Sequence, residues 1–510
     1  MSQQSDRRSK GSASHAHAFQ KDFLTYLPAR LLPAASGLAT VMILSRLFPP
    51  SVYGRYALVL GAAGIALAVL SGWLRECVVR FYPLEKREEA ENGLLLRVAL
   101  LSSLISLLPL VGLAVLAAFP NVLFEYRSLA VWAILWTAIG ILTSPLSSML
   151  RASLQVRSYV FWEIMRALTS VALIVVFVAV LRKPIHWTFI AMVVTSLGSA
   201  IGMGWALRAV PRLKQGWSVW SRAAARIPEL ARYGLPMAGW AIGVRVLSLA
   251  DRFILEWFHG SEAVGIYASN YYLAEGGTAL LMASILAAAK PRIMHGAMEA
   301  KAGHSPPLLG TVTRLTVLLL LPAVVAVLVL GRHLAVLLLD PEYVRGYAIL
   351  PIIVGGTGLW SLGELGQTTL QLVGRTRTLL VGVLGCSVLN VVLNLLVVPR
   401  WGYLGAAWTT LASYAAYPVF IHLMARRVSR WTIPWDSVAR GVLASSVLAG
   451  ALVLIWSMPV HLAYRVAVTS LTPIVYLAAL VVLGETAVRD MLGWIRREIA
   501  KRFRGGDGAR

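Results

Sequence analysis

Apolar residues run through this chain in long blocks, separated by short polar segments. Blocks of the roughly 17–25 residues needed to cross a bilayer lie near 28–48, 55–78, 94–118, 128–150, 163–182, 186–208, 232–257 and 264–289. More follow near 312–331, 346–371, 377–398, 404–425, 440–457 and 464–484. In hydrocarbon every backbone polar group must be satisfied within the segment, so such blocks form helices and loops stay outside. The pattern predicts an all-α integral membrane protein of about fourteen transmembrane helices. Residues 388–410, VLNVVLNLLVVPRWGYLGAAWTT, show how two spans meet. The first carries Asn390 and Asn394 and stops at Pro399 and Gly402; the second opens at Gly405. A tight turn over Pro399–Tyr403 is expected.

The polar segments orient the chain. One set is cationic: Arg7, Arg8, Lys10 and Lys21, then Lys86 and Arg87, then Arg151 and Arg157. It goes on through Arg208, Arg212, Lys214, Arg222 and Arg226, Lys290, Arg292 and Lys301, Arg375 and Arg377, Arg426, Arg427 and Arg430, and the tail from Arg496 to Arg504. The alternate loops hold fewer cations, such as Arg127, Arg182, Lys183, Arg345 and Arg400. Because Lys and Arg favour cytoplasmic loops, both termini are expected in the cytoplasm. Segment 209–231, with Trp217, Trp220 and Leu230 among its basic residues, reads as an interfacial amphipathic linker, and 485–504 reads alike. The organisation is then a polar tail (1–27), a first lobe (28–208), the linker (209–231), a second lobe (232–425), two extra spans (440–484) and a basic tail (485–510).

Composition agrees. The 510 residues are 58% hydrophobic and 14% charged, with mean hydropathy +0.71; no soluble domain needs so much apolar surface. The net charge of +24 would raise nucleic acid for a soluble chain. Here cytoplasmic loops account for it, and no nucleic-acid partner is expected. Cys77 and Cys386 lie in apolar segments and suggest neither a disulfide framework nor a metal site. The polar first 27 residues are unlike a cleavable signal peptide. No GxxxxGK[ST], HExxH or GxSxG motif occurs, so no enzyme is expected.

The chain repeats itself weakly. LFPPSVYGRYA (47–57) and FHGSEAVGIYA (258–268) align Gly54, Tyr56 and Ala57 with Gly265, Tyr267 and Ala268 at one offset. YLPARLLP (26–33) resembles YGLPMAGW (233–240), and LQVRS (154–158) resembles LVGRTRT (372–378). A weak repeat across two helical bundles is a transporter signature, with a midplane cavity between pseudo-symmetric lobes.

Charge within a bilayer costs roughly 2.5–3.5 kcal/mol per residue, so the few such residues are informative. They are Arg30 and Arg46 in the first span, Arg75, Glu76 and Arg80 in and beyond the second, Arg245, Asp251, Arg252 and Glu256 in the seventh, Glu275 in the eighth and Glu364 in the tenth. Arg245, Arg252 and Glu256 share one helical face, with Asp251 about 100° away. An outer ion pair of Arg252 with Glu256 is expected, whereas the deeper Arg245 is assigned to a wet cavity with an anionic ligand. Arg75, Glu76 and Arg80 read as interfacial. Glu275 and Glu364 are candidates for a proton or cation site, or for pairing with arginine. Asn390 and Asn394, one turn apart, either bond between helices or line the cavity, and Gln367 and Gln371 are read in the same way.

Three stretches in register resemble the polysaccharide flippases of the MOP superfamily (Wzx-type): ILSRLFPPSVYGRYAL, YGLPMAGWAIGVRVLSLADRFILEWFHGSEAVGIYA and NVVLNLLVVPRWGYLGAAWTTLASY. The likeness covers roughly 25–485. It implies a fourteen-helix inner-membrane protein with two lobes around a central cavity. It also implies a lipid-linked oligosaccharide as cargo, carried on undecaprenyl diphosphate, beside membrane lipids and the polymerase and glycosyltransferases of the same pathway; a peptidoglycan lipid-precursor flippase and a cation-coupled multidrug exporter of the same superfamily are the alternatives. Arg30, Arg46, Arg245 and Arg252 match its cationic cavity, and Asn390, Asn394 and Gln367 would meet the sugar. No cofactor is expected, and proton or sodium coupling stays open.

Overall fold

The computed structural model describes residues 31–85, 94–118, 125–153, 155–209, 217–299, 307–426 and 431–489, and these contain helices and no strand. The apolar blocks become α1 (Leu31–Leu47), α2 (Pro50–Glu85), α3 (Leu94–Ala118), α4 (Arg127–Ala152), α5 (Val156–Ile174, continued by a π-helical stretch, Val175–Val180), α6 (Trp187–Ala206) and α7 (Trp217–Glu299). Then come α8 (Pro307–Leu338), the short α9 (Pro341–Val344), α10 (Ile349–Leu372), α11 (Thr376–Ala425), α12 (Trp435–Ser457), α13 (Leu462–Thr469) and α14 (Thr472–Val482). Arg30 and both polar tails lie outside the described residues.

Two of these helices are hairpins. Gly260 in α7 has φ 74° and Gly402 in α11 has φ 53°, values that glycine adopts without the Cβ clash other residues meet. Reversal at Gly260 brings Tyr267 Oη within 2.5 Å of Asp251. Reversal at Gly402 brings Thr409 Oγ1 within 2.8 Å of Asn394 Oδ1. Fifteen residues of straight helix would span about 22 Å, so the arms are antiparallel neighbours. The turn expected over Pro399–Tyr403 is therefore present. His259 ties the two hairpins together, its Nε2 lying 2.8 Å from the Val398 carbonyl.

Ten helices among the described residues are long and apolar enough to cross a membrane, fewer than the fourteen or so expected. The difference has a plain source. Thr376–Ala425 counts once although its two arms are antiparallel, and Leu31–Leu47 falls among the shorter apolar helices. Trp217–Glu299, whose arms carry five charged spanning residues, is not among the ten. The segment expected as an amphipathic linker is helical from Trp217 and runs into this hairpin without a break.

The repeated motif meets itself in space. A Cβ on Gly54 would run into the Ser261 carbonyl oxygen and lie 2.9 Å from the Gly265 amide, while a Cβ on Gly265 would run into the Pro50 carbonyl oxygen. Pro50 and Ser261 stand at the same offset as Gly54 and Gly265, so the contact is reciprocal, as at an interface of two equivalent surfaces. More bonds gather at this end of the bundle. Tyr343 Oη donates to Phe48 O at 2.7 Å, and Asn270 Nδ2 donates to Tyr343 O at 2.9 Å. An aromatic core of Tyr53, Tyr56, Phe189 and Tyr343 fills the space beneath.

The last helices dock through a buried acid. Glu485, just past α14, is fully buried. It accepts from Ser437 Oγ at 3.1 Å and from Arg440 Nη1 at 3.5 Å, and it lies 3.9 Å from Arg314 Nε. Both arginines are about a third exposed, which screens the pairing. Glu485→Ala leaves Ser437 without this acceptor and removes the charge-assisted bonds. A loss of ~1–3 kcal/mol is expected, read as a lower melting temperature of the detergent-solubilised protein. An unchanged melt would mean that α14 is held by its apolar face alone.

Candidate functional site

One face of α2 is built from small residues. Gly61, Gly64, Ala68, Ser71 and Arg75 recur every three or four positions, which aligns them on one side of the helix. A Cβ on Gly64 would meet nothing within 4 Å. The space left open is a cavity of about 280 Å³ between α2, α4 and both arms of α7. Arg75 enters it from α2 and Arg245 from α7, and Ser71, Ser144, Trp136 and Tyr272 complete its polar and aromatic wall. At the offset that aligns Gly54 with Gly265, Gly61 and Gly64 correspond to Tyr272 and Glu275. The second copy of the repeat therefore places large polar groups where the first copy has none.

Arg245 is exposed and lines this cavity, as assigned from the sequence. Arg75, read as interfacial, also borders the cavity, with Nε 3.5 Å from Glu76 Oε1. The stripe of small residues that ends at Arg75 is the sequence signal that could have found it. Two guanidinium groups thus border one cavity, and guanidinium is the side-chain group that meets carboxylate and phosphate oxygens through paired N–H bonds.

The other expected site residues fall elsewhere. Arg46 is exposed and donates Nη2 to the Leu337 carbonyl at 2.7 Å, which satisfies an end of α8 rather than a cavity. Arg252 is 2% exposed. Its Nη1 donates to Tyr272 Oη at 3.1 Å, and its guanidinium lies 4.9 and 4.6 Å from the ring centres of Tyr271 and Tyr272. The ion pair expected between Arg252 and Glu256 is absent. Glu256 instead accepts from Tyr126 Oη at 2.6 Å and Ser261 Oγ at 2.7 Å. Residues four apart share a helical face, but the closed hairpin gives each a nearer partner across the turn.

Asp251 is fully buried. It accepts from Tyr267 Oη at 2.5 Å and Thr410 Oγ1 at 3.1 Å, which joins the two arms of α7 to the second arm of α11. Asn390 and Asn394 are also fully buried. Asn394 Nδ2 donates to Asn390 O at 2.8 Å, and Asn394 Oδ1 accepts from Thr409. They hold the α11 hairpin together and do not line the cavities described here, so of the two expected roles the structure takes helix bonding. Gln367 likewise accepts from Tyr417 Oη at 2.6 Å. Glu364 is half-buried on α10.

Glu275 lies on a second cavity of about 410 Å³, enclosed by α1, α2, α5, α6 and α7. A third cavity, of about 370 Å³, is almost wholly apolar, with Tyr126 and Glu256 on its wall. Among the described residues no cluster of histidine, cysteine or carboxylate side chains is placed to hold a metal ion.

A family model for polysaccharide biosynthesis proteins matches residues 20–296, more than half of the chain. Among curated proteins, none matches the sequence. The fold is similar to that of the lipid II flippase MurJ in an inward closed conformation, with TM-score 0.73 and 11% identity over 92% of this chain and 99% of the other. It is also similar to a multidrug resistance MATE family transporter of the MOP superfamily in two conformations. The inward-facing one has TM-score 0.55 and 13% identity over 80% of this chain and 94% of that one. The outward-facing one has TM-score 0.54 and 13% identity over 80% and 95%. At such identities the likeness is one of fold.

Proposed function

The chain belongs to the polysaccharide biosynthesis protein family, and from that premise we propose that it flips an undecaprenyl-diphosphate-linked oligosaccharide repeat unit across the bacterial inner membrane, for surface or exopolysaccharide synthesis. The observation that carries this reading is the cavity into which Arg75 and Arg245 both open. A diphosphate has the charge and the oxygen geometry that two guanidinium groups favour. The polyprenyl tail stays in lipid, so only the head group needs a polar path. Alternating access, with the cavity open first to one side and then to the other, completes the cycle. Both termini face the cytoplasm in this reading, and a proton or sodium gradient drives the return. Glycosyltransferases that build the unit and a polymerase that consumes it are the partners such a step requires.

The fold likeness to the lipid II flippase favours a second reading, in which the cargo is the peptidoglycan lipid precursor. The test separates the two. In a strain lacking its own copy, Arg245→Ala and Arg75→Ala are expected to lower surface polysaccharide at least about tenfold at equal membrane levels of protein, since each removes charge-assisted bonds to the cargo. Arg245→Lys should retain part of the output, because it keeps the charge and loses the fork. Normal polymer from a well-expressed Arg245→Ala would refute the role of the cavity. Restored viability on depletion of the native peptidoglycan flippase would replace the first cargo with the second.

A further inference from the structure

The two polar cavities touch. Leu60 and Tyr272 line both, so one tyrosine is the wall between the 280 Å³ space that holds Arg75 and Arg245 and the 410 Å³ space that holds Glu275. The wall is held in place. Arg252 donates to the Tyr272 hydroxyl at 3.1 Å and packs 4.6 Å from its ring centre, and Arg252 is itself buried. Glu275 stands three residues after Tyr272, on the same face of the helix.

The chemistry of the second cavity differs from that of the first. Its lining includes Thr40, Tyr53, Tyr56, Ser170, Tyr272 and Glu275. Arg166 also borders it, but Glu163 engages that guanidinium at 2.7 Å and compensates its charge. Aliphatic side chains such as Leu38, Val41 and Val171 form most of the wall, Tyr53 and Tyr56 border it from the packed core, and Thr40, Ser170, Tyr272 and Glu275 are the polar groups it offers a ligand. A carboxylate repels phosphate, yet it accepts hydrogen bonds from hydroxyl and amide N–H groups. Ring faces pack against the apolar C–H faces of a pyranose, and the hydroxyls complete its bonding. The volume lies within the roughly 300–1,000 Å³ typical of small-molecule sites.

We propose that this cavity is a saccharide subsite: it holds the first sugar of the cargo, with Glu275 accepting from a sugar hydroxyl or amide, while the diphosphate lies between Arg75 and Arg245. This rests on the flippase reading above. The first sugar is bonded directly to the diphosphate, so the two subsites must be contiguous, and the shared Tyr272 wall meets that requirement.

The test uses the full-length protein in nanodiscs and two probes, undecaprenyl diphosphate without sugar and undecaprenyl diphosphate carrying a single N-acetylhexosamine, with binding followed by native mass spectrometry. The wild type is expected to prefer the sugar-bearing lipid by roughly tenfold, the worth of a hydrogen bond to a charged group. Glu275→Leu, which removes the acceptor at similar size, should erase that preference and leave affinity for the bare lipid unchanged, while Glu275→Gln, which keeps an acceptor and loses the charge, should retain part of it. Arg245→Ala should weaken both lipids alike. A full preference that survives Glu275→Leu, an equal loss for both lipids in that variant, or a wild type that binds both lipids equally well would overturn the subsite while leaving the flippase reading intact. A wild type that binds neither lipid would remove the flippase reading as well.

Discussion

Alanine at Gly54 or at Gly265 is expected to lower the melting temperature of the solubilised protein by several degrees or more. The reason is what a methyl group would strike. At Gly54 it meets the Ser261 carbonyl oxygen, and at Gly265 it meets the Pro50 carbonyl oxygen. Neither obstacle can turn aside as a flexible side chain can, so the two helices must separate. Overpacking costs about 1–3 kcal/mol in ordinary cores and occasionally more; here the upper end applies, because the obstacle is backbone on both sides. Against a total stability of roughly 5–15 kcal/mol this is a large share. The two substitutions act on one contact, so the double variant should cost less than the two losses added together. Gly198 supplies the control, since a Cβ there meets nothing within 4 Å. Gly198→Ala should be neutral or gain the ~0.5–1 kcal/mol that alanine brings to a helix. The measurement is the melting temperature of the solubilised protein by fluorescence-detected size exclusion. Wild-type melting of Gly54→Ala would show that the two copies of the motif do not pack as described.

Asp251→Ala is the second large effect. The carboxylate is fully buried and receives Tyr267 and Thr410 from two other helical arms. Beside it, Arg252 is buried against Tyr271 and Tyr272. Removing Asp251 strands two hydroxyls and leaves a guanidinium with less negative charge about it. Leaving a buried donor unsatisfied typically costs about 1–3 kcal/mol, and two are left here. Asp251→Asn keeps an acceptor and should lose less. In the Asp251→Asn background, Arg252→Met should cost less than it does alone, by at least ~0.5 kcal/mol if the two charges support one another. Additive losses in that cycle would mean that Asp251 serves only its hydroxyl partners. Tyr267 Oη and Thr410 Oγ1 would then carry the whole effect.

Several features were legible in the residues. The apolar blocks became helices, because hydrocarbon imposes length and internal hydrogen bonding on any segment that crosses it. The turn after Pro399 and the break near Gly260 came from local chemistry. The match of Gly54 with Gly265 marked a repeat, and the structure adds that the two glycines meet. Arg245 was identified from its depth and from having no acid one turn away. Arg75 was read as interfacial, and its place on the cavity follows from the open face of Gly61, Gly64 and Ala68 on the same helix. Glu256 was assigned to Arg252 on helical spacing, yet its partners, Tyr126 and Ser261, come from other segments.

The all-helical membrane architecture, the hairpin turn after Pro399 and the repeat were thus determined by sequence alone, since each depends on residues adjacent in the chain. Tertiary structure alone decided which polar groups face one another: Arg75 with Arg245 across a cavity, Asn394 with Thr409 inside a hairpin, Arg46 with the Leu337 carbonyl. The physical reason is rotational. In a membrane the lipid-facing and protein-facing sides of a helix are both apolar, so hydropathy places a helix along the bilayer normal but leaves its rotation about its own axis to be set by packing against its neighbours.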